Sequence, residues 1–358
     1  MRNFLILLIF VSATAKAAIY NLNPIDSSFQ AKLDTAVEIK NMPPLMSQDT
    51  IGICYAVASS TLLTAENCRS QKTDCAHISE KDIFSPLDLA QFGGAINGDK
   101  ASPYSYEIRE GGNIGNVTQR IAMDLGYSVS EDCQSLDKVL SKIGGAKEGA
   151  QIQAAVWKNL KAKYDGFKKK CPTCTADSYS TGGNDQADEL SKFVKDQNLN
   201  IKKTNQEVLS AFAQDSYERF LYDLLTPAEC RRTSRAAVFM NQGKVKVDFY
   251  PENGKGNYDE MMKNIKTVLG TGRPLGLGNV CLAKVVTKDC TDESHAVVIA
   301  GYRKVCNQKN ECRDSLKVIN SWGQSWQDKN NDGWLDAKAL LDSTTYQNWS
   351  LSWFVDKK

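Results

Sequence analysis

The chain has 358 residues, 42% hydrophobic and 24% charged, which suits a globular protein with apolar material for two core-forming units. Lysine and arginine number 44 against 42 aspartates and glutamates, a formal net charge of +2. That balance excludes the dense basic surface of a nucleic-acid binder and gives no electrostatic handle on a membrane.

The N-terminus reads as an export signal over residues 1–17. Arg2 supplies the positive start, Phe4 to Val11 is an unbroken apolar run, and Ala15-Lys16-Ala17 is a cleavage site. The run is far shorter than the roughly 20 residues that span a bilayer, and no later segment reads as a membrane anchor. A mature chain of residues 18–358 is expected in a secreted or periplasmic, oxidising compartment. Eleven cysteines agree with export. Setting one aside leaves ten, and close spacing pairs Cys68 with Cys75, Cys171 with Cys174, Cys281 with Cys290 and Cys306 with Cys312. Cys133 and Cys230 remain, and sequence alone does not decide the connectivity.

Further along, Tyr55 to Leu63 is rich in small and apolar residues, as a buried helix should be, and Cys54 opens it. A thiol there sits at the positive end of a helix dipole, which favours thiolate. Ser85-Pro86 marks the start of a second helix, with Ser85 as cap. Gly111-Gly112 precedes a helical stretch, Val117 to Leu125. Residues 134–235 show helical periodicity at Gln151–Tyr164, Ala187–Val194 and Gln206–Leu225. The basic run Lys158 to Lys170 reads as a solvated helix face. Short β-type runs follow at Pro274–Gly278, Ala296–Tyr302 and Leu316–Asn320.

The chain holds only two histidines, His77 and His295. Cys54, His295 and Asn320 supply a thiol, an imidazole and an amide. A thiol becomes a nucleophile when a neighbouring base takes its proton, and a third polar group can orient the ring of that base. Gln48 lies six positions before Cys54, and Asn320 opens Asn320-Ser321-Trp322-Gly323.

These four motifs, with Trp326 and Gly333-Trp334-Leu335, resemble the papain-like (C1) family of cysteine peptidases. The resemblance covers roughly residues 43–132 and 236–354. It implies an α+β, two-lobed papain-like fold, with a helical lobe and a β-barrel-like lobe on either side of a cleft. Residues 134–235 would be a helical insertion in that peptidase domain, clamped at its base by Cys133–Cys230. The activity implied is hydrolysis of peptide bonds in a protein or peptide substrate, by an endopeptidase ahead of an exopeptidase. Cys54 is the implied nucleophile, His295 the acid and base, and Asn320 the orienting group. Gln48 would donate to the oxyanion and Trp322 would shield the His295–Asn320 bond. Gly111, Gly112 and Ala296 would line the substrate groove, the glycines because only they let two backbones approach closely.

Departures are visible. The family's Cys-Gly-Ser-Cys-Trp reads Ile51-Gly52-Ile53-Cys54-Tyr55. Both ends of a family disulfide are missing, and an apolar contact between Ile51 and Phe92 is expected instead. No long inhibitory propeptide is expected between Ala18 and Cys54.

Other readings compete. A catalytically restrained binding module on the same fold is one. A thiol oxidoreductase acting through Cys171 and Cys174 is another, although a structural bridge suits that polar stretch better. Asp328, Asn330, Asp332 and Asp336 have the spacing of a calcium loop but lack its closing glutamate; a tight turn at Asp332-Gly333 is the alternative. The peptidase chemistry requires no cofactor. His77 beside Cys68 and Cys75 fits a bridge with a surface imidazole better than a zinc site. Asn116 and Asn348 head glycosylation sequons.

Overall fold

A computed structural model describes residues 25, 28–94, 105–143, 148–172, 184–231, 235–282, 294–344 and 350–357. The expected signal segment, Cys174, Cys290 and Asn348 lie outside these residues.

The chain first forms β1 (Gln30–Glu38) and then α1 (Cys54–Gln71), the central helix. From Cys54 to Cys68 every residue of α1 is buried. Its small polar side chains are buried at little cost because they find carbonyls. Ser59 donates to Tyr55 O at 2.7 Å and Ser60 to Phe84 O at 2.5 Å. α2 (Pro86–Leu89) starts as expected, with the Ser85 hydroxyl accepting from Asp88 N. α3 (Ile114–Gln119) runs into a π-helical turn, Arg120–Leu125, ended by Gly126 in the left-handed region. β2 (Tyr127–Val129) pairs with β3 (Ala236–Val238) as a small separate ribbon.

Between those two strands lies a helical segment. It contains α4 (Leu136–Leu140), α5 (Glu148–Lys170), α6 (Asn184–Asp196), α7 (Asn205–Phe212) and α8 (Tyr217–Leu225). One helix would fit the periodicity of Gln206 to Leu225, yet two form. Ser216 caps α8 by accepting from Arg219 N, and a capping box at Thr204 and Glu207 starts α7. The segment shares one core with α1, through Phe212, Phe220 and Leu224. A disulfide between Cys133 and Cys230 closes its base.

The remaining chain forms β4 (Val245–Tyr250), α9 (Tyr258–Gly270), β5 (Leu275–Cys281), β6 (Ser294–Cys306), β7 (Cys312–Ile319), α10 (Gln324–Lys329), β8 (Trp334–Asp336), α11 (Ala337–Asp342) and β9 (Leu351–Asp356). The strands make a seven-stranded sheet in the order β4-β9-β5-β6-β7-β8, with β1 added on β6. The sheet is open and carries helices on both faces, within the two-lobed α+β architecture that was expected. The alternation along β6 gives the reason. Ala296 and Val298 face the core shared with α1, while Val297 and Ile299 face a second core with α9 and α11. Buried on both faces, the strand reads as one continuous apolar run.

Disulfides also join Cys68 to Cys75 and Cys306 to Cys312, as an oxidising compartment permits. Cys171 and Cys281 are disulfide-bonded too. His77 is exposed and pairs with Asp74 at 2.7 Å. Ile51 and Phe92 are buried in the same apolar cluster. Asn116 is buried, with its amide donating to Gly94 O at 2.9 Å, so its sequon is closed to a glycan in the folded chain. Among the described residues no helix is long and apolar enough to cross a membrane.

Candidate active site

The first turn of α1 meets the start of β6 at a cavity of about 210 Å³. Cys54, Gly111, Gly112, Ser294, His295 and Ala296 all line it, joined by Asn113 and Asn279. Cys54 is the free thiol among the described cysteines and is buried. Burial pushes the Cys54 thiol above its ordinary range, and hydrogen bonds from Ala296, Tyr55 and its own backbone pull the other way. The helix N-terminus adds to that second group.

His295 Nε2 lies 2.7 Å from Asn320 Oδ1. The amide oxygen can only accept, so this contact places the ring proton on Nε2 and leaves Nδ1 as a base. Burial drives the imidazole down to about 4, against an upward pull from Asn320. Trp322 covers the ring, with centroids 4.6 Å apart and planes inclined by 33°. Its other side is open to solvent, and Trp326 meets it edge-on at 6.2 Å. Cys54 and His295 are therefore each neutral by burial when taken singly. A proton transfer between them creates two charges in a dry cavity, where each stabilises the other more than in water.

Gln48 is buried but does not line the cavity. One amide proton is committed to Ile51 O at 3.1 Å, and its oxygen accepts from the Ser321 hydroxyl at 2.5 Å. A backbone bond from Gln48 N to Ser321 O at 2.9 Å ties the same residues again. The Asn320 loop and the loop ahead of Cys54 are thus one hydrogen-bonded unit.

Gly111 has φ +80°, a conformation that favours glycine, and donates its N–H to Gly52 O at 2.8 Å. Gly112 has a different reason for its identity. A Cβ there would fall 2.6 Å from the Tyr55 ring and 2.8 Å from Gly93 Cα.

Sequence reasoning missed Gln327. It is buried, accepts from Asn320 N at 3.2 Å and donates to Val318 O at 3.0 Å. It holds the backbone of the orienting residue, and seven positions along the chain gave no signal of that. Ser321 and its bond to Gln48 were missed for the same reason.

The four side chains of the calcium-loop motif turn to separate partners. Asp328 accepts from Gln324, Asn330 donates to Trp326 O, Asp332 pairs with Lys317 and Asp336 caps α11. Among the described residues no group of three or more acidic, histidine or cysteine side chains is arranged to hold a metal ion. The backbone there turns tightly, with Asn331, Asp332 and Gly333 at φ 54°, 53° and 79°.

No protein-family profile and no curated protein matches the chain. Among solved structures it is similar to the digestive procathepsin L 3 of the Tenebrio molitor larval midgut, at 11% identity and a TM-score of 0.42, over 95% of this chain and 75% of that one. It is also similar to xylellain, a cysteine protease from Xylella fastidiosa, at 14% identity and a TM-score of 0.40, over 94% and 91%. A third likeness is to SERA5E from Plasmodium falciparum, at 15% identity and a TM-score of 0.40, over 89% and 90%.

Proposed function

We propose that this chain is an exported papain-like cysteine peptidase. The observation that carries the reading is a free thiol and an Asn-oriented imidazole lining one cavity, at the junction of a helix N-terminus and a strand. Cys54 gives its proton to His295 Nδ1 and attacks the peptide carbonyl carbon. The carbonyl oxygen becomes an oxyanion, held by the Cys54 backbone N–H and the second proton on Gln48 Nε2. His295 passes the proton to the leaving amine, the C–N bond breaks, and a thioester to Cys54 remains. Water, deprotonated by His295, then hydrolyses the thioester. Gly111, Gly112 and Ala296 present the groove along which an extended substrate lies. Asn320 fixes the ring, and Trp322 keeps water from that bond.

The test is turnover of fluorescently quenched casein by the disulfide-bonded mature chain, with Cys54→Ser and His295→Ala alongside. Cleavage lost in both variants supports the reading. Cleavage that survives in Cys54→Ser sinks it.

A further inference from the structure

The helical segment between Cys133 and Cys230 touches the loop that carries Gly111 and Gly112, and it does so through α8. Ile108 N donates to Glu218 O at 3.0 Å. The Glu107 carboxylate accepts from Arg219 Nε at 3.4 Å and from Arg109 Nε at 2.7 Å. The rings of Tyr106 and Tyr222 meet edge-on at 5.5 Å. Tyr222 is itself fixed, buried with its hydroxyl donating to Asp88 Oδ1 at 3.3 Å.

From this anchored stretch the contacts lead directly to the cavity. The Tyr55 hydroxyl donates to Arg109 O at 2.9 Å, next to the nucleophile in sequence. Gly111 N then joins Gly52 O, and Asn113 N joins Gly93 O at 3.1 Å. The glycine wall thus has α8 on one side and the loop before Cys54 on the other. A groove that binds peptide backbone needs its wall at a fixed distance, because backbone hydrogen bonds weaken steeply with misalignment. Glycines cannot supply that rigidity by themselves.

We propose that the 134–235 segment is a brace for the substrate groove, with Arg219 and Glu107 as positioning residues that hold Gly111 and Gly112 in place. This rests on the peptidase reading. The brace acts on binding of an extended chain and leaves the thiol chemistry alone. Arg219 reaches substrate through Glu107 and the loop, so its loss lowers affinity and spares the reacting groups.

Arg219→Ala and Glu107→Gln are each expected to raise KM for quenched casein about 2- to 5-fold, the scale of one partly exposed ion pair. Turnover number and the rate of Cys54 alkylation by iodoacetamide stay unchanged. Arg219→Lys restores most of the affinity. Hydrogen exchange over residues 105–112 quickens in Arg219→Ala and not in Arg219→Lys. Unchanged KM and unchanged exchange in folded Arg219→Ala and Glu107→Gln would overturn the brace. So would an alkylation rate that falls together with affinity, because the thiol itself would then be disturbed. A wild-type chain that leaves casein intact while exchange still quickens would remove the peptidase reading and keep the brace.

Discussion

Arg273, just ahead of β5, donates from Nε and Nη2 to the Glu66 carboxylate on α1, each at 3.1 Å. Both side chains are buried, at 5% and 2% exposure, and they join the central helix to the sheet. Burial raises the Glu66 carboxyl, but hydrogen bonds from Arg69 and Arg273 outweigh it, so the group sits below its ordinary value. Asn241 adds a third donor at 2.9 Å. Arg273→Met leaves a buried carboxylate short of one of its two guanidinium partners. Urea denaturation should show a loss of about 3 kcal/mol, the low end for a broken buried pair because Arg69 and Asn241 remain. Asp356→Ala, on the exposed flank of the same arginine, should cost less than about 1 kcal/mol.

Acid should unfold the protein in part through His295. Its folded value of about 4 lies below its ordinary 6.5, so the unfolded chain takes the proton first as pH falls. The neutral ring costs nothing above pH 6.5, and stability is lost as pH falls from there toward 4, by about 3 kcal/mol in all. Urea midpoints at pH 7 and pH 4.5 measure the loss, and His295→Gln should lack that component. The same low value keeps the imidazole a base in mild acid.

Asn320 should matter through orientation. Asn320→Ala removes the acceptor for Nε2–H and frees the ring to rotate. Turnover should fall about 10- to 10²-fold, the effect of leaving one buried donor unpaired. Substrate affinity should change little, and the unfolding midpoint should fall only modestly. A Gln327→Leu variant should show a milder form of the same loss, since it frees the Asn320 backbone.

Tyr55 is clasped between two glycines. A Cβ on Gly93 would fall 2.3 Å from the Tyr55 ring, and one on Gly112 would fall 2.6 Å from it. The phenol cannot move away, because its hydroxyl donates to Ala90 O at 2.7 Å as well as to Arg109 O. Gly93→Ala should destabilise by about 1–3 kcal/mol, the usual cost of overpacking a core. Tyr55→Phe in the same background should not rescue it, since the clash is with ring carbons and not with the hydroxyl alone. Thermal melts of the two single variants and the double variant decide this.

Much of the local structure was legible because it is written in adjacent residues. Ser85-Pro86 announces a helix start, and the apolar, small-residue run after Cys54 announces a helix buried on all sides. The run Ala296 to Ala300 announces a buried strand, because both of its faces carry apolar side chains. Cys306 and Cys312 are joined because a hairpin brings them opposite each other. The order of Cys54, His295 and Asn320 could be read for the same reason: each carries its chemistry in its own side chain.

Tertiary structure alone decided how those pieces meet. Helices α9 and α11 cover one face of the sheet while α1 and α3 cover the other, and no periodicity within a strand reports what lies across from it. Ser321 locks Gln48 across 273 positions, and Glu66 holds Arg273 across 207. Such pairings depend on two distant segments arriving at hydrogen-bond distance, which only the packed core enforces. The burial that makes His295 a base at low pH belongs to the same category, since dryness is a property of the surroundings and not of the residue.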